Sequence, residues 1–168
     1  MKTYLDNARD FLNTYKDMLD GLWGSGYRSY EAFCWRNDIE YAHGSVRFVF
    51  IGNDFVIKFN YANKATIKWA GGCADEYKCY KKFQEDGMDY LLCPVTKMKG
   101  GHHFYYVMPR VSVACDENLD EDDFTWSISE EEKEYIDRYI SDIHDENFGV
   151  LNGDFVLIDY AWNIFKSR

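Results

Sequence analysis

The sequence predicts an α+β fold: an antiparallel sheet crossed by one helix, preceded by a helical extension and followed by a reduced helical region. Three observations predict it. Leu5, Ala8, Leu12, Tyr15, Leu19 and Leu22 recur at spacings of three and four, the mark of an amphipathic helix. From Val46 the apolar period changes to two, the mark of strands with one buried face. After Ser129 the helical spacing returns.

The first helix is expected to end near Gly21 and to pack on the domain behind it, because its polar face is not strongly basic. Gly24-Ser25-Gly26 breaks the chain, and a short aromatic helix is expected from about Ser29 to Arg36. Val46, Phe48 and Phe50 alternate with Arg47, Val49 and Ile51; Gly52-Asn53-Asp54 then supplies a turn into a second strand, Phe55 to Phe59. On that strand Phe55, Ile57 and Phe59 share one face, so Val56 and Lys58 share the other. A helix from Cys73 to Gln84 follows Gly71-Gly72 and stops at Gly87. Leu91 to Met98 and Phe104 to Met108 read as two strands joined across Lys99-Gly100-Gly101-His102, with Pro109 closing the second.

Asp116 to Asp123 holds six acids and reads as a solvated loop, since no calcium-loop spacing appears. Ser129 with Glu132 forms a capping box, and Ile136, Tyr139, Ile140 and Ile143 continue a helical stripe. A strand pair, Val150-Leu151 and Phe155 to Ile158, is expected around Asn152-Gly153-Asp154.

Composition narrows the function. At 168 residues, 46% hydrophobic and with two prolines, the chain has the material for one core or two small lobes. Its 19 Lys and Arg against 29 Asp and Glu give a formal charge of −10, which argues against direct nucleic-acid binding and suits a basic protein partner. No apolar run reaches the roughly 20 residues of a membrane span, and Met1 to Asp6 has no signal-peptide core, so a cytoplasmic protein is expected. The five cysteines are an odd number without a CxxC pair and read as small core residues; the four histidines have no zinc-site spacing.

One set of polar residues points to chemistry. Phosphoryl transfer needs a cation on the phosphates, an anion to hold that cation, oxygen ligands for magnesium, and a base or orienter for the acceptor hydroxyl. In chain order the sequence offers Lys58 on a strand, Glu76 on the next helix, Asp142 and Asn147 five apart in a loop, and Asp159 at a strand end. Each alone has an ordinary explanation: a strand-end lysine, a solvated helix face, turn formers, a strand terminator.

Together these residues resemble the protein-kinase-like superfamily. Val56-Ile57-Lys58 looks like its Val-Ala-Ile-Lys strand, and Glu76 falls where its helix C glutamate falls. Tyr106-Val107-Met108-Pro109 is similar to the strand entering its hinge, Asp142 to Asn147 has its Asp-x-x-x-x-Asn spacing, and Leu157 to Ala161 looks like its Asp-Phe-Gly segment. The resemblance spans roughly 43 to 161, most of the chain. It implies a helical extension over 1–42, a kinase-like N-lobe over 43–109 and a truncated C-lobe over 110–168. It further implies ATP and magnesium as cofactors: Lys58 on the α and β phosphates, Glu76 orienting Lys58, Gly44, Ser45 and Met108 beside the nucleotide, Asn147 and Asp159 on the metal, and Asp142 at the acceptor hydroxyl. Asp145, two residues before Asn147, breaks the family spacing and is not the expected base.

Several positions depart from the family pattern. The glycine loop is reduced to Ala42-His43-Gly44-Ser45-Val46-Arg47, with one glycine where the family has three, which implies weaker contact between backbone amides and phosphate. Ile140-Ser141-Asp142 replaces His-Arg-Asp, removing the basic residue that reads activation-loop phosphorylation, and Tyr160-Ala161 replaces Phe-Gly. Nine residues follow Asp159, too few for an activation segment and peptide-binding helices, so either other surfaces or a partner is expected to complete the site. The brevity and aromatic content suggest a phage or mobile-element protein.

Two functions are therefore expected. The first is a kinase-like ATP- and magnesium-dependent phosphotransferase acting on a protein or small-molecule hydroxyl. The alternative is a noncatalytic, pseudokinase-like acidic protein that binds or inhibits a basic host factor or nucleic-acid enzyme. Separately, the kinase-like site of the first reading is open to a use without turnover, in which nucleotide stabilises the core as a structural ligand.

Overall fold

The computed structural model describes residues 2–61, 72–113, 127–140 and 143–160. The chain divides into two compact units, Met1–Cys73 with Val95–Arg110, and Ala74–Pro94 with Val111–Arg168.

In the first unit, α1 (Tyr4–Thr14) starts on a capping box: the Thr3 hydroxyl accepts from the Asp6 amide, and the Asp6 carboxylate accepts from the Thr3 amide. The expected single helix breaks at Tyr15, after which α2 (Lys16–Leu22) continues. At the break the Thr14 hydroxyl donates to the Asp10 carbonyl at 2.8 Å, a back-bond of the kind that bends helices. The aromatic helix is α3 (Tyr27–Asn37), closed by Asp38 in the left-handed region at φ 54°.

Five strands follow: β1 (Glu40–His43), β2 (Arg47–Ile51), β3 (Phe55–Asn60), β4 (Thr96–Gly100) and β5 (His103–Pro109). They form one antiparallel sheet in the order β1-β2-β3-β5-β4. β1 is absent from the sequence reading because it is a mostly exposed edge strand, and period-two patterning reveals only strands with a buried face. The strand expected from Leu91 starts instead at Thr96. Before it, Asp89–Leu91 is a 3₁₀ turn, Cys93 donates its amide to Leu157 in the second unit's small sheet, and Pro94 has no amide to offer a ladder.

Period two divides the sheet's faces. Phe48, Phe50, Ile57, Phe59, Tyr105 and Val107 form the core with Ala8, Leu12, Leu19, Tyr30 and Phe33 of the three helices. Burying each large side chain of this kind contributes about 1.5–3 kcal/mol, and Phe48, Phe50 and Phe59 also interlock with ring centroids 5.3–5.8 Å apart. The opposite face carries Val49, Val56, Lys58, Tyr106 and Met108. At the far end Asp20 of α2 holds the β4–β5 turn, accepting from the His102 amide at 3.3 Å and lying 3.8 Å from His103 Nε2. Trp23 stacks flat on the His103 imidazole at 3.6 Å.

The second unit contains all of α4 (Cys73–Glu85) beyond its first residue. Phe83 of α4 packs edge-on against Tyr135 and Tyr139 of α5 (Glu130–Tyr139), which begins on the expected Ser129–Glu132 capping box. α5 stops at Tyr139. Ile140 turns extended (φ −121°, ψ 130°) and is buried, so Ile143 is not on a helix as its spacing suggested; β-branched Ile140, followed by Ser141 and Asp142, weakly favours continuation. A small antiparallel sheet, β6 (Ser112–Val113), β7 (Phe148–Leu151) and β8 (Asp154–Leu157), completes the unit in the order β6-β7-β8. Asn152 and Gly153 make the β7–β8 turn at φ 56° and 97°, matching the twist of a two-residue hairpin. β6 is too short to leave a periodic signal.

Cys34, Cys73, Cys79 and Cys93 are buried, as expected for small core residues, and Cys115 and the acidic run 116–123 lie outside the described residues. Among the described residues no helix is long and apolar enough to cross a membrane.

Two outcomes follow from this packing. A Cβ at Gly149 on β7 would collide with the Ser112 carbonyl oxygen of β6. Gly149→Ala should therefore destabilise the chain by about 1–3 kcal/mol in urea unfolding. Burial lowers the His103 pKa from its ordinary 6.5, with Asp20 opposing and His102 adding to the decrease. The unfolded chain then takes up that proton first, so this contribution to stability is complete above about pH 6.5 and declines as pH falls through the lower folded value. The Tm of the wild type should drop more between about pH 7.5 and 5.5 than that of His103→Phe, which keeps the Trp23 stack and removes the titrating group.

Candidate functional site

In the first unit, strand alternation places Lys58 away from the aromatic core, between Val49 of β2 and Tyr106 of β5. It is 9% exposed. An ammonium so enclosed is tolerated only with compensating polar contacts, which distinguishes it from a solvated strand-end lysine. Met108, 1% exposed, pairs with Val56 and faces the same side, so the lysine's surroundings along β5 are an aromatic ring and a thioether.

Gly44, Ser45 and Val46 form the connection between β1 and β2. The Gly44 amide donates to the Arg47 carbonyl at 2.9 Å, closing the hairpin, and the Tyr61 hydroxyl lies 2.7 Å from the Gly44 carbonyl and 3.0 Å from that of Ser45. Gly44 therefore uses its amide within the hairpin, while Ser45 remains exposed. Asn60, two residues beyond Lys58, bridges two features: its Nδ2 donates to the Val46 carbonyl at 3.4 Å, and its Oδ1 accepts from the Cys73 amide at 3.0 Å, satisfying a donor at the start of α4. At the end of β5, Arg110 makes a forked pair with Glu40 of β1 at 2.9 and 3.2 Å.

In the second unit, Glu76 is fully buried on α4. Its charge reaches two neighbours. Burial first, and Glu76 second, push the Cys79 thiol up to about 12 and hold the Tyr160 phenol far above its ordinary value, with Cys93, Cys79 and Tyr80 adding smaller effects at Tyr160. Tyr160, the residue after Asp159, is itself completely buried, and its hydroxyl donates to the Cys93 carbonyl at 2.6 Å.

The β7–β8 hairpin determines where Asp159 goes. Phe148 pairs with Leu157, so the residues just outside that pair, Asn147 and Ile158, are adjacent. The Asn147 carbonyl accepts from the Ile158 amide at 2.7 Å and from the Asp159 amide at 3.4 Å, while the Asn147 amide donates to the His144 carbonyl at 2.7 Å. Asn147 is 6% exposed and Asp159 is partly exposed. A carboxamide residue and a carboxylate residue twelve positions apart in sequence are thus brought side by side. Both carry hard oxygen donors of the kind magnesium prefers.

Of the residues expected at a site, Lys58, Gly44, Ser45 and Met108 belong to the first unit, and Glu76, Asn147 and Asp159 to the second. Asp142 lies outside the described residues. Among the described residues no group of three or more His, Cys, Asp or Glu converges to hold a metal. Two participants were not anticipated. Asn60 lies just past the strand expected over Phe55 to Phe59 and has no signal of its own in the sequence; in Tyr160, which replaces phenylalanine, the signal is the hydroxyl, since a buried tyrosine needs an acceptor and a phenylalanine does not.

Comparison with protein-family models, curated proteins and solved structures finds no match to this chain.

Proposed function

We propose that the chain is a kinase-like phosphotransferase that uses ATP and magnesium to phosphorylate a hydroxyl acceptor, on a protein or a small molecule. The observation that carries this reading is the pairing of Asn147 with Asp159 through the shared Asn147 carbonyl. Supporting it are a five-stranded sheet whose third strand carries an enclosed lysine, and a helix with a buried glutamate between the third and fourth strands. That order of parts is the order the superfamily resemblance calls for.

The donor set fits magnesium. This ion keeps several waters and takes one or two protein oxygens together with phosphate oxygens, so Asn147 and Asp159 are a sufficient protein contribution. When bound, the metal supplies neutralisation of the charge on the nucleotide phosphates. Lys58 contributes a second positive charge, and the apolar walls made by Val49, Val56 and Met108 strengthen its field by excluding water. The Ser45 hydroxyl is the polar group of the β1–β2 connection suited to phosphate, because the Gly44 amide is engaged with Arg47. Asp142 takes the role of aligning the acceptor hydroxyl or receiving its proton.

Thermal unfolding with and without magnesium and ATP tests the reading, since a ligand that binds the native state must raise Tm. At about ten times Kd the gain is roughly 1.4 kcal/mol, or about 3–5 °C for a chain of this size. The wild type should show this rise and Asp159→Ala should not. Absence of a magnesium-dependent shift in the wild type at millimolar ATP would overturn the proposal.

A further inference from the structure

The segment Leu157 to Tyr160 is clasped at both ends by a single residue. The Cys93 amide donates to the Leu157 carbonyl at 2.8 Å, and the Cys93 carbonyl accepts from the Tyr160 hydroxyl at 2.6 Å. Between those points Ile158 and Asp159 both donate their amides to the Asn147 carbonyl. Four consecutive residues are thus fixed by Cys93 and by Asn147; Ile158 and Asp159 are partly exposed, and Asp159 is the polar one of the two. Cys93 and Tyr160 are 1% and 0% exposed, so water does not compete for the phenol's proton. A phenylalanine would fill the same space but could not donate; the clasp belongs to the hydroxyl.

We infer that Tyr160 is a positioning residue: its bond to Cys93 holds Asp159 beside Asn147 and thereby sets the affinity of the pair for metal. Tyr160 touches neither metal nor nucleotide in this role. The inference rests on the phosphotransferase reading, and it adds to that reading a determinant of metal affinity supplied by the turn after α4. The hydroxyl adds, at the Tyr160 end, an anchor to the bonds that already hold Leu157, Ile158 and Asp159.

The test is manganous-ion binding to the full chain in saturating ATP, read by electron paramagnetic resonance of the free ion. It is run at low temperature, where circular dichroism shows each variant folded. Tyr160→Phe should weaken manganese binding by roughly tenfold, the usual cost of losing a residue that orients a metal ligand. Tyr160→Leu should weaken it at least as much. Wild-type affinity in folded Tyr160→Phe would overturn the inference while leaving the phosphotransferase reading intact. No manganese binding by the wild type would overturn the reading itself. Amide hydrogen exchange of the wild type provides a check that needs no variant: Ile158 and Asp159 should exchange as slowly as Val156 on β8, and exchange at the rate of an exposed loop would contradict the clasp.

Discussion

Phe55, Ile57 and Phe59 cannot leave the helix-covered face of the sheet without taking Lys58 with them. A strand offers two faces and a period of two, so the burial of three large side chains on one side fixes what the other side presents. The neighbouring strands obey the same rule: Phe48 and Phe50 on β2 and Tyr105 and Val107 on β5 join the core, which leaves Val49, Tyr106 and Met108 around the lysine. The hydrophobic core is therefore also what positions the cation. A register slip of one residue would bury Lys58 among phenylalanines, at a cost of several kcal/mol, a large fraction of the stability of a domain this size.

The three N-terminal helices make this arrangement possible. A sheet with one strongly aromatic face must cover it, and Ala8, Leu12, Leu19, Tyr30 and Phe33 do so. The forked Arg110–Glu40 pair and the Asp20 contact to the β4–β5 turn add orientation at the edges; being largely exposed or single, they contribute about 1 kcal/mol or less apiece. In the second unit backbone hydrogen bonding does the comparable work. The two-residue turn at Asn152-Gly153 sets the β7–β8 register, and that register delivers Asp159 to Asn147.

What was legible in the sequence follows from these same forces. α3, α4, β3, β5, the Ser129 capping box and the Asn152-Gly153 turn each left a local signature: a face to bury, a cap, or a backbone angle that asparagine and glycine tolerate. β1 and β6 left none, because an exposed edge strand and a two-residue strand bury too little to impose a pattern. The break at Tyr15 coincides with one hydroxyl bond from Thr14, the strand expected from Leu91 gives way to the bond between Cys93 and the distant Leu157, and α5 ends where Ile140, Ser141 and Asp142 weakly favour continuation. Lys58, Glu76, Asn147 and Asp159 stood out in the sequence by type and order. The bonds that place Asn147 against Asp159, and Tyr160 against Cys93, were not, since they link residues 12 and 67 positions apart.

Paramagnetic broadening of amide resonances by manganous ion in the presence of ATP addresses the central claim, that Asn147 and Asp159 form the metal-holding pair. The account predicts that the signals of Asn147, Ile158 and Asp159 disappear first as manganese is added, and that Asp159→Ala prevents it. Broadening that begins instead at exposed carboxylates such as Glu130 and Glu131, and spares the β7–β8 hairpin, would contradict it.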